Sequence, residues 1–208
     1  SFCDKKMRTW ILSAYPRMTL LMMVVLLVFV LLGCEPGGSG SKDPGDFAGD
    51  SDDDSNGIVD CADGPLLEPI AGCTPGPVPD SGNFKADCVA RINQFRWDCQ
   101  CLPPLDRWAE GEPCADEHAE YDPTNGVHAG FIEDICAPRG RAQNECPGWG
   151  SEADIVDTCL QMMWDEGPGD DFNEHGHYIN MSSTNYTKVA CGVYTTGPGE
   201  VWSVQNFE

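Results

Sequence analysis

The sequence predicts an α+β domain over residues 83–208, and three observations point to it. Apolar residues recur at helical spacing through the first part of that stretch, two strand-like runs close it, and ten cysteines from Cys61 to Cys191 can form up to five covalent staples. About 126 residues suffice for one hydrophobic core.

Each element has a local reason. Val89, Ile92 and Phe95, followed by Arg96, mark a first helix that stops before Leu102-Pro103-Pro104-Leu105, where proline removes a backbone donor. A second helix is expected over residues 112–121. Ser151-Glu152-Ala153-Asp154 reads as a capping box opening a third, with Ile155, Val156, Cys159, Leu160, Met162 and Met163 on its apolar face. Met162, Met163 and Trp164 read as core or cleft wall. Residues 189–194 and 201–207 read as strands, joined through Thr195-Thr196-Gly197-Pro198-Gly199-Glu200 as a hairpin.

The charge balance excludes one class of partner. With 34 acidic and 12 basic residues the formal charge is -22, so nucleic-acid binding through a basic face is not expected. The first 33 residues are the exception, with Lys5, Lys6, Arg8 and Arg17 against Asp4 alone, and without them the net charge is -25. An apolar tract over residues 20–32 follows the basic flank and is too short for a comfortable span of about 20 residues. Residues 1–33 therefore read as an export signal.

Leu31-Leu32-Gly33-Cys34 resembles the lipobox of bacterial lipoproteins, in which the cysteine becomes the first mature residue and carries acyl chains. The resemblance implies lipidation of Cys34 and anchoring in a membrane. Glu35, in place of the Asp associated with inner-membrane retention, favours the outer membrane or cell surface. An exported location permits disulfides. Cys-x-x-Cys pairs are absent, which argues against a thiolate zinc site.

Residues 34–82 are rich in Gly, Pro, Ser and Asp and read as an acidic tether. Within residues 52–63, Asp52, Asp54, Asn56, Asp60 and Asp63 stand at positions 1, 3, 5, 9 and 12 of a loop with Gly57 at position 6. That spacing suits calcium, and it resembles the EF-hand-like loops of thrombospondin type 3 repeats. An acidic solvated spacer is the competing reading.

The remaining motifs come in one order. Ile92-Asn93-Gln94-Phe95-Arg96 precedes Leu102-Pro103-Pro104-Leu105; Ala142-Gln143-Asn144-Glu145, Met163-Trp164-Asp165-Glu166 and Gly176-His177-Tyr178-Ile179-Asn180-Met181 follow. Lys188-Val189-Ala190-Cys191-Gly192-Val193-Tyr194 and Trp202-Ser203-Val204-Gln205-Asn206-Phe207 complete the series. This domain resembles the CAP superfamily of cysteine-rich secretory, antigen 5 and pathogenesis-related 1 proteins, also called SCP-like domains. The resemblance implies a three-layer α-β-α sandwich, stapled by disulfides, with a cleft of two His and two Glu.

Carried over residue by residue, the resemblance assigns His177 and Glu166 to the cleft. His128 fits the first His position better than His118, which would fall in the middle of the second helix. Gln143 stands where the family usually has Glu, and an amide cannot ionise. A zinc-like divalent cation held by His128, Glu166 and His177 is implied, weakened by Gln143. His175 would add a ligand if His175-Gly176-His177 were extended. The sequence shows no elbow Ser and no phosphate-binding Gly loop.

These readings describe an exported lipoprotein that is more a binding module than an enzyme, taking a hydrophobic ligand or an extracellular partner. The alternative is a metal-assisted hydrolase built on the His/Glu cleft, with His177 as general base.

Overall fold

The computed structural model describes residues 61–208. Cys34, the apolar tract and the calcium-loop residues Asp52, Asp54, Asn56 and Asp60 lie outside the described residues; Asp63 ends a 3-10 turn, Cys61–Asp63. No helix among the described residues is long and apolar enough to cross a membrane.

Helix α1 (Phe84–Gln100) starts where the Asn83 side chain accepts the Ala86 N–H and ends at Cys101 in the left-handed region. It is followed by β1 (Asp106–Arg107), α2 (Glu112–Asn125), α3 (Ala129–Glu133) and β2 (Ala142–Trp149). Helix α4 is built of three contiguous pieces, α-helical Glu152–Asp154, a π-helical Ile155–Cys159 and α-helical Leu160–Trp164. Ser151 caps it, its Oγ accepting from Asp154 N at 3.1 Å. Then come α5 (Phe172–Ser182), β3 (Lys188–Thr195) and β4 (Val201–Phe207).

The sheet order is β1-β3-β4-β2, with β1 parallel to β3 and both other pairings antiparallel. Alternation along β3 divides the core in two. Val189 and Cys191 face the larger cluster, with Phe95, Ile92, Leu160, Trp164 and Met181. Ala190 faces a smaller cluster of Trp108, Ala115, Ala119 and Val204. Helices α1, α4 and α5 cover one face and α2 the other, so the expected three-layer α+β arrangement is the one observed.

Small residues let α2 lie directly on the sheet. A Cβ at Gly192 would come 2.1 Å from the Ala115 carbonyl carbon. Because β1 is only two residues long, most of that edge of β3 is unpaired; Asp116 of α2 accepts the Val193 N–H there at 3.0 Å.

All ten cysteines of the described residues pair: Cys61–Cys101, Cys73–Cys99, Cys88–Cys191, Cys114–Cys136 and Cys146–Cys159. The first two attach residues 61–82, read from composition as tether, to the end of α1. Arg91 adds to this by donating to the carbonyls of Pro75 and Gly76 at 3.1 and 2.9 Å. Covalent and hydrogen-bonded attachment thus orders a segment with too few apolar side chains to order itself.

Two further expectations change. The π-helical stretch shifts the facing of α4 by one residue, so Met163 and Trp164 are buried while Met162 is 59% exposed and belongs to neither core nor apolar face. His175-Gly176-His177 lies within α5 and is not extended, so the two imidazoles leave the helix in different directions. His175 Nδ1 instead donates to the carbonyls of Glu166 and Gly167 at 2.8 and 3.0 Å, closing the chain that leads out of α4.

Candidate functional site

The motif residues hold the site before they take part in it. Asn93 clamps the backbone of Leu105 from both sides, Nδ2 donating to its carbonyl at 2.8 Å and Oδ1 accepting its N–H at 2.7 Å. Arg96, 1% exposed, donates to the carbonyls of Pro103, Met181 and Ser183 at 2.9, 2.7 and 2.9 Å. Burial without a carboxylate partner lowers its pKa to about 10, and the guanidinium still joins α1, the proline turn and the end of α5. Phe95 stacks on Trp164, whose ring meets Tyr178 edge-on, and Tyr178 Oη donates to Gln100 at 2.8 Å.

Edge strand β2 organises the cleft. Successive side chains of a strand point to opposite faces, so Gln143 and Glu145 look toward α2 and Asn144 toward α5. On the α5 face, Asn144 Nδ2 donates to the His177 carbonyl at 3.0 Å and Asn180 Nδ2 donates to Asn144 Oδ1 at 2.9 Å. Here Glu166 and His177 pair directly, Nδ1 of the imidazole donating to Oε1. Glu166 Oε2 accepts the backbone N–H groups of His177 and Tyr178 at 2.9 and 3.4 Å. Nε2 of the ring has no hydrogen-bond partner among the described residues, on a side chain 36% exposed.

On the α2 face, Gln143 lies between two imidazoles. Its Oε1 accepts from His128 Nδ1 at 2.7 Å, while its Nε2 donates to His118 Nδ1 at 2.9 Å and to Asn206 Oδ1 at 3.1 Å. This network orients the amide and assigns both tautomers: His128 carries its proton on Nδ1 and His118 on Nε2. His118 is fully buried in the middle of α2, and burial lowers its pKa, opposed by the Asn206 hydrogen bond, so it stays neutral. His128, at the turn between α2 and α3, has φ 63 and a side chain 34% exposed, with Nε2 free of the network.

The structure therefore gathers the four residues as two pairs, His128 with Gln143 and Glu166 with His177, astride β2. It also brings in His118, Asp122 and Glu145, which sequence reasoning did not place in the site. Glu145 is 3% exposed, and burial pushes its carboxyl up to about 8, opposed by the His128 N–H it accepts at 2.7 Å and reinforced by Asp122. Burial also raises Asp122, which is opposed by the Gly130 N–H. One signal for Glu145 was available: two residues beyond Gln143 in a strand, it must share Gln143's face.

A divalent cation in the cleft would have to draw on Nε2 of His128 and of His177, whose Nδ1 sides are held by Gln143 and Glu166. The Glu166 oxygens and the Gln143 oxygen are already committed within their pairs. Among the described residues, the one group of at least three His, Cys or carboxylate ligand atoms within 4.8 Å of one another is Cys114, His118 and Cys136. Its two sulfurs are bonded to each other, so neither is a thiolate, and the Nε2 proton of His118 points at Cys136 Sγ, 3.2 Å away. A separate hollow of about 320 Å³ between the N-termini of α1 and α4, lined by Asp80, Phe84, Asp87, Glu152 and Asp157, shares no residue with the cleft.

In comparisons with known proteins, the family described as "Cysteine-rich secretory protein family" (CAP) matches residues 89–207. No curated protein matches. Among solved structures, the chain is similar to "Structure of BmVAL-1" at 16% identity and a TM-score of 0.46, over 65% of this chain and 81% of that one. It is similar to "Crystal Structure of Na-ASP-1" at 17% identity and a TM-score of 0.44, over 69% of this chain but only 43% of that one.

Proposed function

We propose, from the premise that this chain belongs to the CAP family, that it is an exported module which works by binding and not by turnover. The observation that carries this reading is the wiring of the cleft. Both half-exposed imidazoles have Nδ1–H committed, His128 to an amide and His177 to a carboxylate, and both leave Nε2 without a partner among the described residues. As acceptors, these nitrogens suit a ligand with hydroxyl donors, lying across the edge of β2. Val127 and Ile132, 50% and 76% exposed beside His128, offer apolar contact to its body. The ligand is thus a hydrophobic molecule with a hydroxylated end.

Five disulfides fit an exported protein. Lipidation of Cys34 would hold the module at a membrane, in the outer membrane or at the cell surface, and calcium at residues 52–63 would stiffen the connection next to the Cys61–Cys101 bridge. Native mass spectrometry of the full chain recovered from its own membranes tests the binding reading. A bound organic molecule that disappears in His128→Ala and His177→Ala supports it; wild-type protein carrying nothing, or a stoichiometric metal alone, refutes it.

The Glu166–His177 pair favours one second reading, a hydrolase in which Glu166 orients His177 as general base and no step passes through a metal. Turnover on envelope substrates that vanishes in His177→Ala would replace the first reading with this one.

A further inference from the structure

Beneath the turn that carries His128, two carboxyls meet with no base between them. Asp122 of α2 is fully buried and Glu145 of β2 is almost so. Each commits one oxygen to the backbone of the same turn: Asp122 Oδ1 accepts from Gly130 N at 2.7 Å, and Glu145 Oε2 accepts from His128 N at 2.7 Å. The two remaining oxygens, Asp122 Oδ2 and Glu145 Oε1, are buried and meet no hydrogen-bond partner among the described residues, and the two carboxyls act on each other as neighbours.

The groups around them supply no counter-charge in contact. The His128 ring lies 3.6 Å from Glu145 Oε2, but its Nδ1–H is directed at Gln143. Glu133 of α3 is bound by the Tyr121 hydroxyl, the neutral His118 presents its Cδ2 edge to the site beside Gly130, and Arg139 is engaged by Asp134. One hydrogen shared between the two buried, unpartnered carboxyl oxygens would satisfy both, leaving one acid and one carboxylate. The turn they hold is one that would not hold itself. His128 sits at φ 63, which costs a non-glycine residue about 1–2 kcal/mol, and Gly130 has no room for a Cβ, with His118 Cδ2 at 2.8 Å.

We propose that Asp122 and Glu145 are positioning residues for His128: sharing one proton, they form a frame that fixes the His128–Gly130 turn and so aims Nδ1–H at Gln143 and Nε2 outward. The role is independent of which ligand the cleft takes and so goes beyond the binding reading.

The shared proton makes an unusual non-additive expectation. An amide at either position keeps its oxygen on the turn and turns its NH₂ inward, where it donates to the opposite carboxylate. Either single change thus replaces the shared proton with an N–H. Amides at both positions set NH₂ against NH₂, and one must turn over and release its hold on the turn.

The test uses the full chain with ¹⁵N-labelled histidine. Asp122→Asn and Glu145→Gln each keep the wild-type His128 spectrum, with Nδ1 protonated, and keep the His128 and Gly130 amides protected from exchange. The double variant loses both signatures, while His177 on the other face of β2 keeps its own. A double variant that behaves as wild type overturns the proposal, and so does either single variant that already loses the His128 signature. Should the double variant fail to fold, Asp122→Leu, which fills the space without hydrogen bonds, is compared with Asp122→Asn: loss in the first and retention in the second upholds the frame, and equal behaviour refutes it.

Discussion

Gln143 Oε1 accepts the Nδ1 proton of His128 at 2.7 Å, and the same amide donates to His118 Nδ1 at 2.9 Å. With His118 protonated on Nε2, the amide satisfies both neighbours, accepting from one and donating to the other. In Gln143→Glu the contact to His128 survives, but His118 Nδ1 keeps only the longer 3.4 Å contact with Asn206 Nδ2 and Asn206 Oδ1 faces another acceptor. The substitution should cost about 1–3 kcal/mol of stability at neutral pH. Protonation of His118 would repair the lost contact, so denaturant unfolding should show a smaller loss at acidic pH.

The raised Glu145 carboxyl gives stability an unusual slope with pH. Its ordinary value is 4.5 and its folded value about 8, so between these the unfolded chain has released a proton that the native chain retains. Stability therefore falls as pH rises through that window, by up to about 1.4 kcal/mol per pH unit for this one group, and levels off above it. The raised Asp122 acts in the same direction. Glu145→Gln should flatten the slope, and unfolding midpoints of both proteins across the window check it.

Gly192 is where α2 comes closest to the sheet. A methyl group there meets backbone atoms of Ala115 and Asp116, at 2.1 to 2.4 Å, and backbone cannot swing aside as a side chain can. Gly192→Ala should therefore cost about 1–3 kcal/mol or more, with exposure of the Val193 amide that Asp116 protects. Urea unfolding with hydrogen exchange reads both effects.

Asn93→Ala should loosen the Leu102–Leu105 turn by removing both contacts to Leu105, leaving a buried N–H and C=O unpaired at about 1–3 kcal/mol. Asn93→Asp keeps only the acceptor and should fall between Ala and wild type. The exchange rate of the Leu105 amide orders the three.

The parts of the fold that were legible in the sequence are those whose burial is apolar and periodic. Helices α1 and α4 and strands β3 and β4 carry such patterns, and these elements, like α2, form at their expected places with longer or equal bounds. Strand β2 carries none, and α5 sets Tyr178 and Met181 into the core from among polar residues. Their mutual contact runs through Asn144 and Asn180, so polar pairing does what apolar spacing does elsewhere, and α5 was open to an extended reading. The same applies to the site. His128, Gln143, Glu166 and His177 could be named from motif order, but the pairing of Asp122 with Glu145 joins α2 to β2 and exists only after the chain has folded. The tether reading of residues 34–82 rested on composition, which does not show that two disulfides attach its described part, residues 61–82, to α1.

Histidine ¹⁵N spectra of the unliganded wild-type chain at neutral pH test the wiring of the cleft most directly. Nδ1 is expected to carry a proton in both His128 and His177, with Nδ1 bare and Nε2 protonated at His118. A bare Nδ1 at His128 or His177, or a proton on Nδ1 of His118, would contradict it.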